Sequence, residues 1–220
     1  MLKYPCLVLD HDDTVVQSEA TINYPCFCEY LDKYRQGAAI SLKEYTERCY
    51  HQGFIEMCKE KYALTDQELD EEYLYWKAYM KNHIPAPFPG IREIIARQKA
   101  AGGLICVVSQ SVSDNIRRDY LTHYGMEPDE IFGWDLPEQC RKPSPYALQA
   151  IIEKYRLSPS QLLMIDDMKP GWEMAQKVSV PVAFSGWGRK DYPEIIKEMT
   201  SLCDYAFQST ESLYQFLFNQ

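Results

Sequence analysis

Residues 7–19 read LVLDHDDTVVQSE, with Asp10, Asp12 and Asp13 crowded into four positions directly behind an apolar run. Carboxylates at that density repel one another, and one or more takes up a proton unless a cation is present. A hard divalent ion removes the conflict. Mg²⁺ prefers oxygen ligands, keeps several waters, and is held by a few carboxylates together with substrate phosphate. Asp10 and Asp12 lie two apart, so both side chains can point to the same side of an extended segment. One can then attack while the other handles protons. Ser109, Gln110 and Ser111 follow a second apolar run, Asp166 and Asp167 end a third, and the loop RKPSPY brings Arg141 and Lys142 before a helix start. A serine hydroxyl donates to phosphate oxygens and a lysine neutralises them.

These groups meet only if the right elements carry them. YPCLVL at 4–9, LICVVS at 104–109, LLMID at 162–166 and VPVAF at 180–184 are short apolar runs without alternation. That pattern fits strands covered on both faces, as in a parallel sheet. Helices are expected between them over 90–101, stopped by Gly102-Gly103, over 113–123 with Ser113 and Asp114 as caps, and over 144–156 with Pro145 in the first turn. The alternation predicts an α/β fold with a doubly wound parallel sheet. In such a sheet ligands bind at the carboxyl ends of the strands, which is where Asp10, Ser109 and Asp166 fall.

Residues 17–85 break the alternation. They carry amphipathic segments near 19–36, 41–60 and 66–82, rich in tyrosine at helical spacing, and IPAPFPG at 84–90 is a stiff return. The expected organisation is a core made of 1–16 and 86–220, with a helical insert between its first and second strands. The cap tyrosines are expected in the insert's own core. His51, Gln52, Gly53 and Phe54 fall between insert helices, as a structural turn or a substrate-facing loop.

The chain's 220 residues suffice for one core domain with a small insert, and 46% hydrophobic with 25% charged residues is a globular balance. A net charge of -9 repels nucleic acid and anionic membranes, so neither is an expected partner. No signal peptide and no spanning segment is read from the sequence. Eight scattered cysteines without a CxxC pair fit reduced thiols and a cytoplasmic location.

With the motifs in order, LVLDHDDTVVQSE resembles the first motif of the haloacid dehalogenase superfamily, an apolar strand followed by Asp-x-Asp-Gly-Thr. VVSQS resembles the second, RKPSPYAL the third and LLMIDDMKPGWEMA the fourth, with Gly171 following the acidic pair. The insert resembles the helical cap of that family's first structural class. The resemblance implies a Rossmann-like core and a Mg²⁺-dependent phosphatase acting on a small phosphorylated metabolite through an aspartyl-phosphate. It implies Asp10 as nucleophile and Asp12 as general acid and base. Ser109, the Gln110 backbone and Lys142 would hold the phosphoryl group. Asp10, the Asp12 carbonyl, Asp166 and Asp167 would hold the metal, with Thr14 orienting the loop. Three positions depart from the common pattern: His11 for an apolar aromatic, Asp13 for Gly, and Gln17 for Asp. At position 13 either no glycine conformation is needed or aspartate tolerates it. A phosphosugar mutase of the β-phosphoglucomutase type would share the core motifs. A noncatalytic binding module on the same fold is the alternative from another class. Phosphoglycolate, a sugar phosphate, a nucleotide and pyrophosphate all fit as substrate.

Overall fold

A computed structural model describes residues 2–35 and 37–219. Six strands form one parallel sheet: β1 (Cys6–Leu9), β2 (Leu104–Val108), β3 (Glu130–Phe132), β4 (Leu162–Asp166), β5 (Val182–Ser185) and β6 (Tyr205–Phe207), in the order β3-β2-β1-β4-β5-β6. The chain divides into two compact units, Met1–Gln17 with Pro87–Gln220, and Ser18–Ala86. The second unit holds α1 (Tyr24–Arg35), α2 (Leu42–Gln52), α3 (Phe54–Tyr62) and α4 (Asp66–Met80). The first holds α5 (Ile91–Ala100), α6 (Ser113–Tyr124), α7 (Tyr146–Tyr155), α8 (Lys169–Gln176), α9 (Pro193–Leu202) and α10 (Thr210–Phe218).

The unbroken apolar strands are explained by cover on both faces. Leu7, Leu9, Ile105, Val107, Leu163 and Ile165 point to one side, against α5, α6 and α10 through Ile94, Ile116, Tyr120 and Leu213. Cys6, Val8, Cys106, Leu162 and Met164 point to the other, against α7 and α8 through Leu148, Ile151 and Met174. Each fully buried Leu, Ile or Met side chain contributes about 1.5–3 kcal/mol. The register sets the function-bearing edge. Cys6 pairs with both Leu104 and Leu162, and Leu9 with both Val107 and Ile165, so β1, β2 and β4 end within one residue of one another.

The three-residue edge strands β3 and β6 were not foreseen; runs as short as EIF and YAF carry no periodicity. The start of α6 differs from expectation. Val112 occupies the N-cap, and the Ser113 N–H donates to Asp135 Oδ1 at 2.8 Å, so a residue 22 positions on does the capping. The segment expected at 41–60 is two helices broken at Gly53, whose φ of 87° lies in the left-handed half of backbone space that glycine favours. Gln36, placed at the end of the first insert segment, lies outside the described residues. The return at 84–90 runs beside the first-motif loop and then turns at Pro89-Gly90 into α5: the Phe88 N–H donates to Val15 O at 3.0 Å, and Val16 bridges Pro87.

In the second unit, Ser41 caps α2 and Thr65 with Glu68 forms a reciprocal capping box on α4. Phe27, Tyr30, Leu31, Tyr45, Met57 and Cys58 make its core, and the Tyr30 hydroxyl donates to Glu68 O at 2.8 Å. Glu72 on α4 is buried in this unit, 6% exposed. Burial pushes its pKa up from 4.5 to about 7. Its charge in turn adds to the burial that raises the Cys26 and Cys58 thiols, and to that acting on Tyr30 and Tyr45. A carboxyl whose folded pKa lies above its unfolded one favours the folded state below the unfolded pKa and loses that advantage as pH rises through the folded pKa. Between pH 4.5 and just above 7 the protein should therefore lose on the order of 3 kcal/mol from this group. Urea unfolding at pH 5 and pH 8 should show that loss in the wild type and most of it removed in Glu72→Gln. Parallel pH profiles for the two proteins would contradict it.

Candidate active site

Asp10 follows β1, and its backbone N–H donates to Ile165 O of β4 at 2.9 Å, which extends the strand pairing by one residue and draws the first and fourth motifs together. Its carboxylate is buried, 5% exposed. One oxygen from each of Asp10, Asp166 and Asp167 lies within 4.8 Å of the others. Lys142 lies between two of them: its Nζ donates to Asp10 Oδ1 at 2.6 Å and to Asp166 Oδ2 at 2.8 Å, with the side chain 4% exposed. Asp166 Oδ1 also accepts the Met168 N–H at 2.8 Å.

The charges explain one another. Burial raises the Asp10 pKa well above the usual carboxylate range, Lys142 pulls it down, and Asp166, Asp167 and Asp12 push it further up. Asp166 is likewise raised by burial, with Lys142 opposing. Burial alone would lower the Lys142 pKa, but Asp10 and Asp166 more than offset that and hold it above the ordinary lysine value. Three buried carboxylates against Lys142 and the buried Arg189, which pairs with Asp167, still leave an excess of negative charge at an all-oxygen donor set. Those are the conditions a hard divalent cation meets.

The first-motif loop turns on backbone bonds. The Val15 and Val16 N–H groups both donate to His11 O, at 2.9 and 3.1 Å, and the Asp13 N–H donates to Val16 O at 2.8 Å. Asp13 has a φ of 52°, so of the two sequence alternatives the second holds: the glycine-type conformation is present and aspartate occupies it. Thr14 is fully buried, its Oγ1 donating to Asp167 Oδ1 at 3.3 Å and lying 2.7 Å from Ser185 Oγ of β5. Asp12 is half-buried and its carboxylate is not one of the three grouped oxygens. Ser109 is buried at the end of β2, its Oγ accepting the Ser111 N–H at 3.1 Å, while Gln110 is exposed. His11 turns away from the carboxylates: its Nε2 lies 3.1 Å from Asp119 Oδ2 of α6, with both side chains buried.

The sequence reading missed the loop after β5. Trp187 Nε1 donates to Thr14 O at 3.0 Å. Arg189, 3% exposed, donates to Asp167 Oδ2 from Nε at 2.7 Å, and its second terminal nitrogen is 2.5 Å from the same oxygen. The signal was available, since SGWGR follows an expected strand and its carboxyl end faces the same edge; that Arg189 turns onto Asp167 is a tertiary fact.

Gly171 on α8 has a specific reason to be glycine. A Cβ there would lie 1.9 Å from Asp166 Oδ2. Alanine is about 1 kcal/mol better than glycine inside a helix, but here it would drive Asp166 off Lys142. Gly171→Ala is therefore expected to destabilise the protein by about 1–3 kcal/mol in chemical denaturation. Equal or higher stability would contradict the close packing.

Comparison with known proteins gives three findings. The family model described as haloacid dehalogenase-like hydrolase matches residues 7–185. Phosphoglycolate phosphatases from two strains of Vibrio vulnificus, CMCP6 and YJ016, are 26% identical over 106 residues, which is 47% of this chain and 44% of each relative, so the chain matches less than half the length of these curated relatives. Among solved structures, a conserved haloacid dehalogenase-like protein of unknown function from Agrobacterium tumefaciens superposes with a TM-score of 0.76 at 18% identity, covering 96% of both chains. A phosphoglycolate phosphatase assigned by prediction, from Haemophilus somnus, gives 0.74 at 17% identity over 98% of this chain and 99% of that one. CbbY from Rhodobacter sphaeroides, in complex with xylulose-(1,5)bisphosphate, gives 0.71 at 18% identity over 97% and 96%. At these identities the structures speak for the fold, and the family model speaks for descent: the chain belongs to the haloacid dehalogenase-like hydrolase family.

Proposed function

We propose that this protein is a Mg²⁺-dependent phosphatase that hydrolyses a small phosphate monoester through a phosphorylated Asp10. The observation that carries the reading is the Lys142 ammonium set between the buried Asp10 and Asp166 carboxylates. A lysine there pulls the Asp10 carboxyl toward its ionised, nucleophilic form against the effect of burial, and stands ready to share charge with an incoming phosphoryl oxygen. Residues 17–85 are taken as the helical cap, and 1–16 with 86–220 as the catalytic core. The eight free cysteines are compatible with a cytoplasmic setting, and among the described residues no helix is long and apolar enough to cross a membrane.

An Asp10 carboxylate oxygen attacks phosphorus as the bond to the substrate's leaving oxygen breaks, and Asp12 gives that oxygen its proton. Asp12 then takes a proton from a water that attacks the same phosphorus, and the bond to Asp10 breaks to release inorganic phosphate. Asp12's half-buried carboxyl, outside the grouped oxygens, is free for that proton traffic. Ser109 and the Gln110 backbone N–H donate to the phosphoryl oxygens beside Lys142. Thr14, packed against Ser185 and Asp167, keeps the loop that carries Asp12 in place. Mg²⁺, held by the carboxylates of Asp10 and Asp167, the Asp12 carbonyl, and Asp166 directly or through water, would neutralise phosphate charge. A loose, highly charged transition state is served mainly by such positioning and charge stabilisation.

Phosphoglycolate and small sugar phosphates are the substrates to test first, given the names of the relatives. Phosphate release from a panel of phosphomonoesters should require Mg²⁺, stop with EDTA, and fall by about a thousandfold or more in Asp10→Asn. Release that persists in the mutant, or proceeds at full rate in EDTA, would contradict the proposal.

A further inference from the structure

The end of β5 and the loop after it meet the first-motif loop at four points. Ser185 meets Thr14, Trp187 donates to the Thr14 carbonyl, Gly188 packs so near that a Cβ would lie 2.0 Å from Asp13 O, and Arg189 reaches two carboxylates. Two of the Arg189 nitrogens take Asp167 Oδ2, and the third, Nη1, is 3.5 Å from Asp13 Oδ2. All three side chains are buried, at 4%, 1% and 9% exposure for Arg189, Asp167 and Asp13.

Neither Asp13 nor Arg189 is explained alone. Position 13 has a left-handed φ, where glycine is the unstrained choice and aspartate is tolerated at a cost. Arg189 is an arginine withdrawn from water, which persists only against opposite charge. Together they cancel. Asp13 adds one negative charge beside the group of Asp10, Asp166 and Asp167, and Arg189 adds one positive charge on Asp167 itself. The fork also fixes the Asp167 carboxylate, with Oδ2 turned to Arg189 and Oδ1 toward Thr14.

We propose that Asp13 and Arg189 are a matched pair of positioning residues that sets how tightly the Asp10–Asp166–Asp167 group holds a divalent cation. This rests on the reading that the group takes such a cation. The guanidinium competes with the cation for Asp167, and Asp13 draws part of that positive charge away. Loss of the Asp13 charge removes one of the acids that share Arg189 with Asp167 and weakens cation binding. Loss of the Arg189 charge leaves two more negative groups facing the cation and tightens it. Loss of both returns the balance.

The test is calorimetric titration of the full chain with Mg²⁺ alone, at fixed ionic strength and without substrate. Asp13→Asn keeps the size and a residue tolerant of left-handed φ, and should weaken the Mg²⁺ Kd by about tenfold. Arg189→Gln should tighten it by about tenfold, and the double variant should fall within about threefold of wild type. Should Arg189→Gln fail to fold, Arg189→Lys keeps the charge without the fork and should shift the Kd less than Asp13→Asn does. Single variants that shift the Kd in the same direction, or an Asp13→Asn Kd equal to wild type, would overturn the pairing while the cation site stands. A wild-type chain that binds no Mg²⁺ would overturn the cation site and the pairing together. A purely structural pair would lower Tm without opposite shifts in affinity.

Discussion

The rest of the structure is arranged around one constraint: several carboxylates must stay close together, buried and ionised. Burial pushes the Asp10 and Asp166 carboxyls up toward their protonated forms even with Lys142 beside them. Lys142 answers part of that push from between them, and Arg189 pairs with the neighbouring Asp167. The remaining negative charge suits an all-oxygen group to a hard cation.

The fold supplies the geometry for this at little local cost. Because β1 pairs in register with both β2 and β4, the residues at and just past the strand ends come together at one edge, and Asp10, Ser109 and Asp166 arrive there from positions separated by up to 156 residues. Glycines then allow approaches that a side chain would block, at Gly171 against Asp166 and at Gly188 against Asp13. The apolar residues on the two sheet faces provide the stability against which a charge-dense edge can be held.

What could be read from sequence was what lies next to a strand. The apolar runs announced β1, β2, β4 and β5, and the polar residues directly after them announced Asp10, Ser109 and the Asp166-Asp167 pair. Lys142 was legible because RKPSPY sets Arg141 and Lys142 before a Pro-containing helix start, and the resemblance to the third motif singles out the lysine. The sequence could not reveal β3 and β6, whose three residues carry no period, nor the capping of α6 by Asp135, which depends on a distant loop. It also concealed Arg189, an ordinary basic residue in a Gly-rich turn until the fold places it on Asp167, and the fate of His11, whose tie to Asp119 crosses 108 positions. Local pattern carries elements and motif order; the pairing of charges across loops is set by packing.

The central claim is that Asp10 carries the phosphoryl group during turnover, and trapping it is the most direct measurement. Borohydride quenching of the enzyme during steady-state hydrolysis reduces a phosphorylated carboxyl to an alcohol. Peptide mass mapping then reads the residue that was modified. The account predicts reduction at Asp10 alone, dependent on substrate and on Mg²⁺. Full-rate phosphate release with Asp10 recovered unmodified would contradict it.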